Sequence, residues 1–147
     1  MTEKLTDEEL AFLHGVLDLA REGRSAELAE LIDRGVPVNL TGASGDTLLI
    51  LATYHGHPET VRLLLERGAD PGRVSDRGQT ALGAAVFRRS AESTGLLLSY
   101  GADPGAGSRS ATEIAAFFGH DDMTLLLAAA RPAVGDIPVA GSGREPT

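Results

Sequence analysis

The chain has 147 residues, a formal net charge of −8 from 21 acidic and 13 basic residues, and no cysteine. This length suits one domain with its own core, and without cysteine that core depends on no disulfide or thiolate metal site. Proteins that bind nucleic acid use clustered cations, which displace counterions from the phosphates. This chain lacks such clusters, so we do not expect nucleic acid as a partner.

The first residues, MTEKLTDEELAFLHGV, are acidic where a secretory signal is basic, and charged residues interrupt their apolar positions. No stretch of the chain approaches the roughly 20 consecutive apolar residues that cross a bilayer. From the sequence we therefore expect a soluble, cytoplasmic chain that is neither exported nor inserted in a membrane.

The first predicted helix pair is acidic and carries helix-start signals. Residues 1–34 contain nine acids and four bases, so most of the negative charge lies at this end. The residues from Thr6 to Glu9 have the spacing of a capping box ahead of the apolar run that starts at Leu10. Ser25 precedes the next apolar segment, and we predict that its side chain caps the second helix.

A 33-residue repeat organises the rest of the chain. The segment GDTLLILATYHGHPETVRLLLERGADP begins at Gly45, and GQTALGAAVFRRSAESTGLLLSYGADP begins at Gly78. A further copy starts at Ser110 after a shorter turn, and a degenerate copy precedes Gly45, so four units are predicted. The two best copies share these positions in register: Thr47/Thr80, Leu49/Leu82, Ala52/Ala85, Leu64/Leu97 and Gly68/Gly101.

Each unit has the pattern of two short amphipathic helices joined by a tight turn. In the second unit we predict the first helix at residues 47–54 and the second at residues 58–67, with Pro58 suited to a first helical position. Glycine follows the second helix of three units, where a left-handed residue ends the helix. These glycines are Gly35, Gly68 and Gly101. The predicted fold class is all-α.

The pattern GxTxLxxAxxxGHxExVxLLLxxGAD in residues 45–70 resembles the ankyrin repeat, and the match extends over about residues 8–130. The resemblance implies an ankyrin-repeat solenoid of four stacked helix-turn-helix units with short hairpin turns. We assign the ankyrin repeat domain to residues 1–130. Its units are assigned to about 6–40, 41–73, 74–106 and 107–130. Residues 131–147 are rich in proline and glycine and have no helical period, which predicts a disordered tail.

The repeats depart from the family pattern after the threonine, where Pro-Leu-His is usual. Residues 48–50, 81–83 and 111–113 read Leu-Leu-Ile, Ala-Leu-Gly and Ala-Thr-Glu, so the side-chain bridge of that histidine is expected to be missing. The segments NLTGASGDTLLILATYHGH and SDRGQTALGAAVF resemble small stand-alone bacterial ankyrin proteins found beside catalase genes. This second resemblance implies a role in peroxide defence, with a catalase as partner.

In ankyrin proteins the last turn of each unit's first helix faces a concave groove, and the resemblance thereby selects a column of candidate residues. The column holds Arg21-Glu22, Tyr54-His55, Phe87-Arg88 and Phe117-Phe118. Large aromatic side chains with an arginine among them are typical of the residues that dominate binding at protein interfaces. The alternative is that Phe87, Phe117 or Phe118 fills space between repeats that the missing histidine leaves.

The hairpin turns, at residues 41–46, 74–79 and 107–109, reach the same side of the protein in this interpretation. Asp76 and Arg77 make the middle turn charged. These two residues could form the polar rim of an interface, or they could be solvent-exposed turn residues without a binding role. The predicted protein-binding residues are Tyr54, His55, Phe87, Arg88, Phe117, Phe118, Arg77 and Asp76.

The sequence predicts no metal site, no cofactor and no enzyme activity. His55, His57 and Glu59 are close in sequence, but residues two apart across a helix turn point in different directions. His57 and His120 occupy a position that ankyrin proteins use structurally, to start the second helix. Ser44 lies in GASGD, within a repeat turn rather than the strand-to-helix elbow of a hydrolase.

We therefore predict a non-catalytic, monomeric module that binds another protein through the concave aromatic groove. Two alternatives stay open from the sequence. The acidic first unit would suit an inhibitor of the immunity type that binds a basic partner, and such binding would weaken with salt. The aromatic groove would also suit a small molecule or haem, with His55 as the ligand.

Overall fold

The structure is a computed structural model that describes residues 5–130 and, in that range, holds eight α-helices and one isolated bridge, between Thr41 and Thr47. The helices are α1 (Asp7–Glu22), α2 (Ser25–Asp33), α3 (Leu48–Tyr54), α4 (Pro58–Glu66), α5 (Ala81–Phe87), α6 (Ala91–Ser99), α7 (Ala111–Phe118) and α8 (Asp121–Ala130). No helix among these residues is both long enough and apolar enough to cross a bilayer. The predicted disordered tail, residues 131–147, lies outside the described residues.

The helices form two layers. Helices α1, α3, α5 and α7 pack side by side in chain order, and α2, α4, α6 and α8 form the second layer in the same order. Each first-layer helix also packs against the helix that follows it. A helix pair buries its apolar face only against its neighbours, which is the organisation of a solenoid. The predicted all-α solenoid of stacked helix pairs is confirmed, and the boundaries assigned to its units stay a prediction.

First-layer helices begin at a hydroxyl residue that caps the helix. The Ile50 N–H donates to Thr47 Oγ1 and the Gly83 N–H donates to Thr80 Oγ1, each at 3.0 Å. Both threonines are buried, so the caps satisfy N–H groups that water does not reach. The predicted capping box at Thr6 is present, and Ser110 makes a second one.

The prediction that Ser25 caps α2 is wrong. The helix starts at Ser25 itself, and the capping residue is Arg24, whose side chain makes no capping bond. The tight turn after α1 satisfies the backbone locally, because the Ser25 N–H donates to the Gly23 carbonyl at 2.9 Å. The Ser25 hydroxyl is left to face the next repeat, where its oxygen lies 2.7 Å from Thr60 Oγ1.

The core consists of columns of side chains at the same phase of the repeat. Ala52 and Ala85 are fully buried in the first layer, and their small side chains let neighbouring helices approach closely. Leu64 and Leu97 are fully buried in the second layer. Both pairs were placed in register by the 33-residue period, which explains why that period predicts the core correctly.

The turn between α5 and α6 has an unusual backbone. Arg89 has a φ of 58° and is the sole non-glycine residue with positive φ in residues 5–130. The equivalent residue 33 positions earlier is Gly56, with a φ of 81°. Arg89 uses its side chain to reach the next repeat, where its Nε lies 3.1 Å from both carboxylate oxygens of Asp122. This contact between repeats accompanies a backbone conformation that side chains disfavour.

Candidate functional site

A groove of about 1130 Å³ crosses the first-layer helices α3, α5 and α7. Its floor is apolar and comes from Ile50, Leu51 and Ile114 in the bodies of α3 and α7. One side is the ring ridge, formed by Tyr54, Phe87, Phe117 and Phe118 at the C-terminal ends of the three helices. The other side is the hairpin edge, formed by Asp46, Arg77 and Arg109 in the turns that precede them.

The ring ridge is a continuous series of aromatic contacts. Tyr54 and Phe87 lie nearly parallel with ring centroids 6.1 Å apart, and Phe87 meets Phe118 edge to face at 5.5 Å. Phe117 meets Phe118 edge to face at 4.9 Å. Tyr54, Phe87 and Phe117 come together because they occupy the same phase at the ends of stacked helices, and Phe118 adds a fourth ring at the next position. Such offset and edge-to-face arrangements are the preferred geometries for aromatic pairs.

The rings of the ridge differ in how far they are exposed. Tyr54, Phe87 and Phe118 are 42%, 43% and 48% exposed, and Phe117 is 82% exposed. The position of the missing histidine in the second unit is filled by Ile50 itself, which is buried. In the fourth unit that position is Glu113, whose carboxylate completes the capping box with Ser110. Phe117 therefore fills no gap, whereas Phe87 and Phe118 are about half buried against rings of the neighbouring repeats.

His55 stands against the ridge, edge to face with Tyr54 at a centroid distance of 5.2 Å. Burial lowers the pKa of His55 below its ordinary value, and the positive charges near it, Arg21, His57 and Arg88, lower it further. At neutral pH the imidazole is therefore uncharged and offers one donor and one acceptor nitrogen.

The hairpin edge combines two exposed arginines with one largely buried carboxylate. Arg77 Nη2 lies 3.5 Å from Asp46 Oδ2, and this arginine side chain is 73% exposed. The Ser44 hydroxyl donates to the same oxygen at 3.0 Å, while Asp46 Oδ1 is buried without a partner among residues 5–130. Neighbouring hairpins bond to each other, because the Asp76 N–H donates to the Ser44 carbonyl at 3.0 Å. The backbone thereby holds the turns side by side.

The structure brings six of the eight predicted residues to the groove and leaves two outside its lining. The six are Tyr54, His55, Phe87, Phe117, Phe118 and Arg77. Arg88 is the C-cap of α5, and its guanidinium lies against the turn at Gly56. Arg88 therefore lies outside the groove lining, although His55 and Phe118, at the same position of their repeats, are part of it. Asp76 lines an adjoining cavity of about 460 Å³ beside α1.

Sequence reasoning missed the groove floor. Ile50 and Ile114 each precede a ridge ring by four residues, in the pairs Ile50/Tyr54 and Ile114/Phe118. Residues four apart lie on one face of a helix, so this spacing was the signal that identifies the floor. Arg109 and Asp46 belonged to predicted turn tips, but nothing in the sequence selected them from their neighbours.

His57 and His120 make structural contacts. His57 Nε2 lies 2.7 Å from the carbonyl oxygen of Arg21, and this bond joins the second helix pair to the end of α1. His120 stacks on Phe118 at a centroid distance of 5.7 Å. Within the described range no three histidine, aspartate or glutamate side chains lie close enough together to hold a metal ion.

Stacked helix pairs with a groove at the turn-bearing side define a helical repeat protein. A family model of ankyrin repeats, in three copies, matches residues 17–108, and the chain therefore belongs to the ankyrin repeat family. The chain is also 50% identical over 60 residues to a protein of Pseudomonas aeruginosa whose name describes it as an ankyrin repeat protein. That match covers 41% of this chain and 35% of the relative, so it spans about a third of the relative's length.

Proposed function

We propose that this chain is a non-catalytic interaction module that binds a partner protein in the groove between the ring ridge and the hairpin edge. The observation that carries the proposal is the ring ridge itself. Four aromatic side chains in mutual contact, each at least 42% exposed, stand over an apolar floor. Exposed apolar patches bordered by polar groups mark interaction sites, and aromatic residues dominate their binding energy.

Ankyrin repeats are in general interaction modules, and the groove supplies what such a module needs. Its rim is polar, its floor is apolar, and its aromatic anchors are carried by helices instead of by loops. The similarity to bacterial ankyrin proteins found beside catalase genes makes a catalase the first partner to test. The cytoplasmic location and the monomeric state predicted from the sequence are part of this proposal.

The test is affinity capture from the source cell with the wild type and two single variants, followed by mass spectrometry and by binding of the purified partner. Phe117→Ala removes the most exposed ridge ring. Leu125→Ala is the matched control, because Leu125 is 71% exposed on α8 and does not line the groove. We expect Phe117→Ala to lose a protein that the wild type and Leu125→Ala retain. Equal retention by all three would overturn the proposal.

The same material tests the two alternatives from the sequence. A partner retained by Phe117→Ala but released as salt rises would support the acidic inhibitor, since exposed charge pairs are screened. A haem titration in which a Soret shift depends on His55 would support the haem binder. A captured protein that resists salt and requires Phe117 excludes the acidic inhibitor, and a titration with no Soret shift excludes the haem binder.

A further inference from the structure

The two sides of the groove differ in chemistry and lie opposite each other. Helices α3 and α7 run from the hairpin edge to the ring ridge and contain seven and eight residues. At 1.5 Å per residue the two sides are about 10 to 12 Å apart, which is the width of one helix or one extended segment with its side chains. An occupant of the groove therefore contacts rings along one edge and guanidinium groups along the other.

The residues that line the groove are more basic than the chain as a whole. The lining holds three arginines and two acids, although the chain as a whole carries −8. Both acids are engaged within the protein. Glu113 Oε1 accepts hydrogen bonds from the Ser110 N–H and hydroxyl, and Asp46 Oδ2 accepts one from Ser44. Arg21 is paired with Asp18 at 2.6 Å, so the arginines left to face an occupant are Arg77 and Arg109 of the hairpin edge.

The arginines of the hairpin edge have donors to spare. Arg109 forms no ion pair with any residue in the range 5–130, and Arg77 reaches Asp46 only at 3.5 Å. A guanidinium presents five N–H donors in a planar fork that matches a carboxylate. Arg77 and Arg109 can therefore each bind a carboxylate of an occupant whose apolar side chains lie about one helix width away, on the ring ridge.

From this juxtaposition, and resting on the proposed function, we infer that the occupant is an amphipathic, acidic segment of another protein. Its apolar side chains lie on the ring ridge and its carboxylates lie on Arg77 and Arg109. A basic segment would leave both guanidinium groups facing like charge. A uniformly acidic segment would be repelled by the rest of the chain, so the groove selects acids that stand opposite apolar residues.

Exposed rings also attract cations, and this is the competing outcome for the same surface. A display library of short random peptides separates the two, because the composition of the selected peptides reports the preference directly. The wild type is compared with the charge-reversed Arg77→Glu/Arg109→Glu variant. The matched control is Arg34→Glu/Arg62→Glu, which makes the same change in net charge at exposed residues outside the groove lining.

We expect the wild type and the control to enrich peptides that combine Asp or Glu with Leu, Phe or Trp. The groove variant should bind those peptides about tenfold more weakly, as the loss of two exposed charge pairs implies. Arg109→Gln removes one exposed positive charge and places no new acid beside Asp46. It should therefore weaken binding of those peptides less than the double variant does. Circular dichroism checks that each variant is folded.

The outcomes distinguish this inference from the function on which it rests. Selected peptides that require Phe117 but are basic or neutral would overturn the inference and leave the groove as the binding site. Acidic peptides that bind the groove variant as well as the wild type would also overturn it. Peptides indifferent to Phe117→Ala, or no enrichment at all, would overturn the proposed function and this inference with it.

Discussion

Replacing Phe117 by alanine should separate binding from stability. The side chain is 82% exposed, so only about a fifth of its surface is buried in the protein. Aromatic side chains have about 150–250 Å² to bury, so the buried part is worth about 1 kcal/mol at 25 cal/mol/Å². The higher helix propensity of alanine returns about 0.5 kcal/mol of that. We expect the free energy of unfolding to fall by about 0.5 kcal/mol.

Phe87 provides the contrast within the same ridge. It is 43% exposed, so more than half of its surface is buried, and the same calculation gives a loss of about 2 to 3 kcal/mol for Phe87→Ala. A domain of this size has roughly 5–15 kcal/mol to lose. Truncating several half-buried rings together would therefore risk unfolding the protein, whereas Phe117→Ala removes a ridge ring with little change in stability.

Urea unfolding followed by circular dichroism measures both stability changes, and binding of the captured partner measures the effect on the groove. Loss of a hot-spot ring costs more than about 1 kcal/mol of binding, or at least fivefold in Kd. Leu125→Ala should match Phe117→Ala in stability and the wild type in binding. The reasoning is refuted if Phe117→Ala destabilises the fold as much as Phe87→Ala does, or if its affinity for the partner is unchanged.

Three further predictions concern the framework that carries the ridge. Arg89→Gly should be about 1 kcal/mol more stable than Arg89→Ala in urea unfolding, because both lose the contact with Asp122 but only glycine relieves the φ of 58°; equal stabilities would contradict this. Thr47→Ala should lose about 1–2 kcal/mol and Thr47→Ser much less, because the buried Ile50 N–H keeps its hydroxyl acceptor only in the serine variant. The pKa of His55, measured by NMR of its ring protons, should lie below its ordinary value and rise in Arg21→Ala, and no rise would show that Arg21 does not act on it. Because His55 binds a proton more readily in the unfolded chain than in the folded one, the free energy of unfolding is highest above a pH of about 6.5. It decreases as the pH falls below that value.

The repeat period determined how much of this protein was predictable. Once Ala52/Ala85 and Leu64/Leu97 are placed in register, stacking puts each pair into one buried column, and the same logic aligns Tyr54 with Phe87 at the helix ends. Phase alone, however, does not say which of two adjacent residues enters the groove. Phe87 and Arg88 share a helix end, and only their different directions from the backbone separate them.

Local geometry also decided the details that failed. Ser25 has the residue type of a helix cap, but the bond from its own N–H to the Gly23 carbonyl shifts the helix start by one residue. That shift turns the hydroxyl towards Thr60. Competition between a side-chain cap and a backbone turn depends on the path of the chain, which residue type does not encode. The pairing of Asp46 with Arg77 across 31 residues depends likewise on how the hairpins bond side by side.

The residues that build the framework and the residues that line the groove occupy different positions of the repeat. The positions that repeat faithfully, such as Thr47/Thr80 and Ala52/Ala85, are buried and cap or pack the helices. Positions that change from unit to unit face the groove, as where Asp46 is followed 33 residues later by Gln79. Stability in a solenoid is a sum of contacts between neighbours, so residues that make few such contacts can differ between repeats at little cost. The residues that differ between repeats are therefore the ones that determine which partner binds. In this chain they include the aromatic rings and arginines of the groove, which distinguish it from a scaffold of identical ankyrin repeats.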